Sequence, residues 1–174
     1  MKIPFLRSFT VLGVCLGLIL LFSHCSRGEK ETALTLAPDF TFKTLDGQEI
    51  TLSKLKGKAV LLDFWATWCG PCRESIPHLI QIYKMNQSNG LEVIGMSMDK
   101  GEDDTVRNFV KSMEIPYPIA ITSEEVARSY GVTSLPTAIF VDKEGKIREK
   151  FVGFSSAIAD MIAARASDLI SEKL

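Results

Sequence analysis

Cys69 and Cys72, separated by Gly70 and Pro71, are the residues of this sequence best suited to carry chemistry. Side chains three apart on a helix share a face at about 5 to 6 Å, and a disulfide needs Cα atoms roughly 4.4 to 6.8 Å apart. The pair can therefore bridge without rearrangement. Pro71 suits the first turn of a helix, which puts Cys69 at the N-terminal end, where free N–H groups and the dipole favour a thiolate. Lowering a thiol pKa from ~8.5 to ~7 raises its thiolate fraction at pH 7 from ~3% to ~50%. Intrinsic nucleophilicity falls about five-fold, so the net gain is about three-fold. Holding Cys72 beside Cys69, so that a mixed disulfide is resolved within the molecule, should matter more.

Asp63 is the second informative residue, an acid inside the apolar run Ala59 to Trp65, six positions before Cys69. Burial would raise its pKa. A carboxyl group in that state could take the proton from Cys72 as it attacks a mixed disulfide. The alternative, a solvent-facing acid at a strand end, is disfavoured by the flanking Leu61, Leu62, Phe64 and Trp65.

These residues need a scaffold, and the hydrophobic pattern supplies one. Phe40, Phe42, Ile50 and Leu52 alternate with polar residues around Asp46-Gly47, a hairpin signal. Ala59 to Trp65 and Leu91 to Met98 have the length and continuous apolarity of strands covered on both faces. Ile76, Leu79, Ile80 and Tyr83 recur at helical spacing from Pro71 to about Gln87, with Pro77 expected to kink that helix. Helices are expected over residues 104–113, 124–130 (Ser123 as N-cap, Gly131 closing it) and 155–170. Strands are expected over 117–121, 137–141 and 147–152. Parallel βαβ followed by an antiparallel pair means an α/β fold, a central mixed sheet flanked by helices, with an N-terminal hairpin extension.

The first 25 residues read as an address. Lys2 and Arg7 precede the uncharged apolar run Phe9 to Phe22, the layout of an export signal. Ser8 to Ser26 gives 19 uncharged residues, so a retained anchor stays open. Leu21-Phe22-Ser23-His24-Cys25 resembles a bacterial lipoprotein signal, in which the cysteine is lipidated; His24 and Phe22 depart from that pattern. Cys25 is a lipidation candidate or an incidental thiol, and Cys15 is apolar filler. Either route delivers the chain to the outer side of a membrane. The expected division is 1–25 signal or anchor, 26–36 polar tether and 37–174 a single domain.

The 20 basic and 21 acidic residues give a net charge of −1, and without Lys2 and Arg7 the remainder carries −3. A nucleic-acid partner, which would need a basic patch or stripe, is not expected. With 46% hydrophobic and 24% charged residues the chain is globular rather than disordered. Four cysteines do not form a disulfide framework, so the fold must rest on its core. No metal site is expected, since a structural zinc needs four ligands. His78, nearly two turns beyond Cys72, reads as packing or surface, Trp65 as core and Trp68 as rim. Glu102-Asp103-Asp104 reads as a solvated helix N-terminus.

Asp63-Phe64-Trp65-Ala66-Thr67-Trp68-Cys69-Gly70-Pro71-Cys72-Arg73 resembles the active-site segment of thioredoxins. From Ala37 onward the chain resembles the TlpA/ResA branch of that superfamily. The resemblance implies Cys69 as exposed attacker, Cys72 as buried resolver and Asp63 as proton-transfer partner, with no cofactor. It also implies that Leu135-Pro136-Thr137 is a cis-proline loop facing the cysteines, with Trp68, Gly70, Pro71, Leu135 and Pro136 forming the substrate surface. One position departs from the branch: Ser75 stands where members commonly have Glu, with Glu74 on a different helical face.

Gly-Pro between the cysteines, as in reducing thioredoxins at about −270 mV, points to a reductant of disulfides in exported proteins. Such an enzyme would be recharged by a membrane thiol-disulfide electron donor, and cytochrome c maturation is one role the family implies. Two alternatives stand beside it. Ala37-Pro38-Asp39-Phe40 and Thr67 are also compatible with a peroxiredoxin-like thiol peroxidase, although Trp68 and Cys72 fit a dithiol better. The other is a non-catalytic binding module.

Overall fold

The computed structural model describes residues 35–101 and 103–173. The expected leader with Cys15 and Cys25, the tether as far as residue 34, and Glu102 lie outside them. Strands β1 (Thr41–Lys43) and β2 (Glu49–Thr51) pair antiparallel. Gly47 turns the chain between them with φ 90°, a left-handed conformation that glycine adopts without steric cost. A 3-10 turn, Leu52–Leu55, leads into β3 (Ala59–Trp65). There follow α1 (Gly70–Asn86), β4 (Leu91–Ser97), α2 (Asp103–Ser112), β5 (Ile119–Ile121), α3 (Glu124–Ser129), β6 (Thr137–Val141), β7 (Ile147–Val152) and α4 (Ser156–Ser171).

The main sheet has the order β5-β4-β3-β6-β7. β3, β4 and β5 run parallel, and β6 is antiparallel to both β3 and β7. All seven residues of β3 are buried, because helices cover both faces of a central strand. Its side chains alternate between the two layers. Leu61 and Trp65 pack with Ile76, Leu79, Phe109 and Ile162, while Leu62 and Phe64 pack with Ile94, Met96, Ile139 and Tyr130. Asp63 shares the alternation of Leu61 and Trp65, so it faces the layer built by α1 and α4.

Two elements differ from expectation for local reasons. β5 is three residues long rather than five, since Pro118 has no N–H to donate; its carbonyl instead accepts from Gly95 N–H at 2.9 Å. Ser155 caps α4 rather than beginning it, its Oγ accepting from Ile158 N–H at 3.2 Å. α1 agrees with its expected span, running from Gly70 to Asn86 with Pro77 inside it. The β1–β2 hairpin docks on the sheet edge, where Thr44 bridges Ala120 and Leu45 N–H donates to Ile119 O at 2.8 Å, blunting an otherwise open strand. Among the described residues no helix is long and apolar enough to cross a membrane.

Candidate active site

The site grows out of the C-terminal end of β3. Cys69 leaves the strand with extended backbone (φ −86°, ψ 108°) and caps α1, its Sγ accepting from Cys72 N–H at 3.2 Å. Cys69 and Cys72 are joined by a disulfide with their Cα atoms 5.3 Å apart, inside the range that one helical turn allows. Cys72 is fully buried. Cys69 keeps only 6% of its surface, so in the disulfide state the attacker that the resemblance implies to be exposed is itself buried. Trp68 beside it is 70% exposed, and Gly70 and Pro71 are also exposed.

Two residues that sequence reasoning passed over fix this loop. The Asp99 carboxylate accepts from Thr67 N–H (2.9 Å), Thr67 Oγ1–H (2.6 Å) and Ser97 Oγ–H (2.8 Å). Arg73 donates from Nε and Nη2 to Thr67 O at 3.1 and 2.8 Å, with its guanidinium 5.1 Å above the Phe109 ring. The available signal was position: Asp99 follows a buried parallel strand, and sites of α/β sheets gather beyond the carboxyl ends of their strands.

Asp63 lies two residues before the end of β3 and is 1% exposed. Neither carboxylate oxygen has a hydrogen-bond partner among the described residues. Burial disfavours the charged form and pushes the group up to about 7. Tyr117, 3% exposed, is also raised well above its ordinary value, by burial first and by Asp63 second. The opposing β4 residue is Gly95. A Cβ there would sit 2.3 Å from Ile119 Cδ1 and 3.0 Å from Trp65 Nε1, so the close approach of these side chains requires glycine.

A cavity of about 10 Å³ opens beside Asp63, lined also by Ser75, His78, Pro136 and Phe154. Its size is close to the minimum for one water. Ser75 is buried and its Oγ donates to Cys72 O at 2.9 Å, whereas Glu74 is exposed. The position that commonly carries Glu in the resembling branch thus holds a short hydroxyl turned onto the helix backbone. His78, set aside on sequence spacing, holds its ring 5.4 Å from that of Phe154 in a tilted contact and borders the same cavity as Asp63.

The Leu135–Pro136 bond is cis. Thr137 pairs with Phe64 of β3, so the loop before β6 stands at the end of β3 from which the cysteines emerge. Pro136 O accepts from Gly153 N–H at 2.8 Å, and Thr137 Oγ1 donates to Ser134 O at 2.7 Å. Leu135 is half-buried and touches both halves of the core.

A mixed sheet carrying a helix-capping, vicinal cysteine pair defines a thioredoxin-like thiol-disulfide oxidoreductase. The chain belongs to the AhpC/TSA family, whose model matches residues 34–150, and groups with the ResA thiol-disulfide oxidoreductases. It is 36% identical over 144 residues to thiol-disulfide oxidoreductase ResA of Bacillus cereus, covering 82% of this chain and 83% of that one. It is 36% identical over 118 residues to ResA of Bacillus subtilis, covering 67% and 65%. Among solved structures, a thioredoxin family thiol:disulfide interchange protein from Chlorobium tepidum superposes with a TM-score of 0.71 at 30% identity, over 79% of this chain and 97% of that one.

Proposed function

We propose that this oxidoreductase works outside the cytoplasm, tethered to a membrane by its N-terminus, and reduces disulfides in exported proteins. The carrying observation is the pairing of Cys69, whose Sγ accepts the Cys72 amide at a helix start, with a fully buried Cys72. That N–H would equally hold a Cys69 thiolate. In the forward step the Cys69 thiolate bonds to one substrate sulfur, and the other leaves as thiolate. Cys72 then passes its proton to the Asp63 carboxylate and attacks Cys69 Sγ. The Cys69–substrate bond breaks with its electron pair on the substrate sulfur. Two electrons have moved to the substrate, and the protein holds the Cys69–Cys72 disulfide until a membrane thiol donor reduces it.

Trp68, Gly70, Pro71, Leu135 and Pro136 are assigned as the surface that meets the substrate chain, with residues 1–25 as signal or anchor, 26–36 as tether and Cys25 as lipidation site. Cytochrome c maturation, the role that the resemblance to the TlpA/ResA branch implies, is the proposed setting. A Cys72→Ser variant expressed in the native host should trap substrates as mixed disulfides on Cys69. Trapping of exported proteins, with a measured potential near −270 mV, supports the reading; a potential near −120 mV would indicate an oxidant instead. Rapid peroxide consumption by the same variant would favour a thiol peroxidase.

A further inference from the structure

Asp63 must exchange its proton with solvent once per turnover if it serves Cys72, yet it is 1% exposed and bonded to nothing among the described residues. The geometry points to His78 as the group that carries the Asp63 proton to and from solvent through the cavity both side chains line. This rests on the assignment of Asp63 as the acid–base partner of Cys72.

The cavity has three polar members beside apolar walls. Ser75 commits its hydroxyl hydrogen to Cys72 O, leaving its oxygen free to accept. His78 follows Ser75 by three residues on α1, hence on the same helical face. It is exposed, so its ring reaches bulk water while bordering the cavity. Its ring lies against Phe154, with centroids 5.4 Å apart and planes tilted by 43°, at the rim of the cavity that both residues line. A neutral imidazole accepts on one nitrogen and donates from the other, which lets it pass a proton without changing place.

About 10 Å³ suits one water, and Asp63, Ser75 and His78 supply the two to four polar partners such a water requires. Among the described residues the other titratable group that feels the Asp63 charge is the Tyr117 phenol, which burial keeps protonated and which is 3% exposed. Arg73 is turned to Thr67 O. No other outlet competes among these groups. After Cys72 has given its proton to Asp63, that proton moves through the water to one imidazole nitrogen while the other releases a proton to solvent. Asp63 returns to carboxylate, and no electrons move. Re-reduction of the disulfide runs the same path inward, supplying the proton that Cys72 takes up.

The test follows the decay of the mixed disulfide between the reduced full-length protein and a disulfide peptide, by acid quench and mass measurement near pH 7. His78→Ala should slow decay about ten-fold, a fraction of what a direct acid–base group supplies. Added imidazole should restore the rate, and the equilibrium potential of the Cys69–Cys72 pair should stay unchanged, because a relay alters rate alone. In an Asp63→Asn background, His78→Ala and imidazole should have no effect. A slow Asp63→Asn variant beside an unimpaired His78→Ala overturns the relay and leaves the Asp63 assignment standing. An Asp63→Asn variant at full speed overturns both. A slow His78→Ala that ignores imidazole, or that shifts the potential, makes His78 a packing residue and overturns the relay.

Discussion

Replacing Asp63 with Asn removes a charge that the fold holds out of water. The carboxyl is pushed from 3.8 to about 7 by burial alone. A folded-state value above the unfolded one means that the native protein binds more protons than the unfolded chain between roughly pH 4 and pH 7. Stability therefore falls as pH rises through that window, and the full penalty stands above pH 7. About three units at 1.36 kcal/mol each give about 4 kcal/mol. Asn keeps the shape and an unpartnered polar group but does not ionise. With the disulfide closed, Asp63→Asn and the wild type should unfold in urea with free energies within about 1 kcal/mol at pH 4. The variant should be the more stable by about 4 kcal/mol at pH 8, with an unchanged m-value. A gap that stays constant across this range would mean that Asp63 titrates as an ordinary carboxylate, and the acid–base role would go with it. The gain should come with slower mixed-disulfide resolution, the usual opposition between stability and a charged site.

Three further perturbations probe the frame around the cysteines. Asp99→Ala leaves the buried Thr67 N–H and hydroxyl without their acceptor and should cost about 2 to 4 kcal/mol in urea unfolding, with a lower insulin-reduction rate. Gly95→Ala places a methyl 2.3 Å from Ile119 Cδ1 and should cost roughly 1 to 3 kcal/mol as overpacking, read as a lowered Tm. Trp68→Ala, at a side chain 70% exposed, should leave Tm within about 1 °C while lowering kcat/KM for protein disulfides several-fold, as loss of an aromatic contact surface predicts.

What could be read in the sequence follows from where the information lies. β3 and β6 match their expected bounds because each is an apolar run of strand length, and β7 because Asp142 to Lys146 marks the turn of its hairpin with β6. Asp63 stood out because a charge inside such a run is conspicuous, and the cysteine pair because helical spacing fixes its geometry. Asp99 was missed since its partner, Thr67, is brought to it only by the parallel register that sets Trp65 opposite Ser97, and Arg73 since its partner is a backbone carbonyl, which no side-chain pattern marks. His78 was measured against Cys72 along the helix, whereas the residue it meets across the cavity is Asp63, on a strand. β5 was overextended because alternation weighs Pro118 as a position without counting its missing donor.

The Cys69–Cys72 bond encloses only Gly70 and Pro71. Closing so small a loop restricts the unfolded chain little, by about 2 kcal/mol of entropy at most, and a cross-link between distant segments would restrict it more. The bond is thus a moving part rather than a strut. The strand pairings beside it and the Asp99–Thr67 hydrogen bonds run through other atoms than the two sulfurs, so the electrons it carries are stored apart from the contacts that hold the architecture.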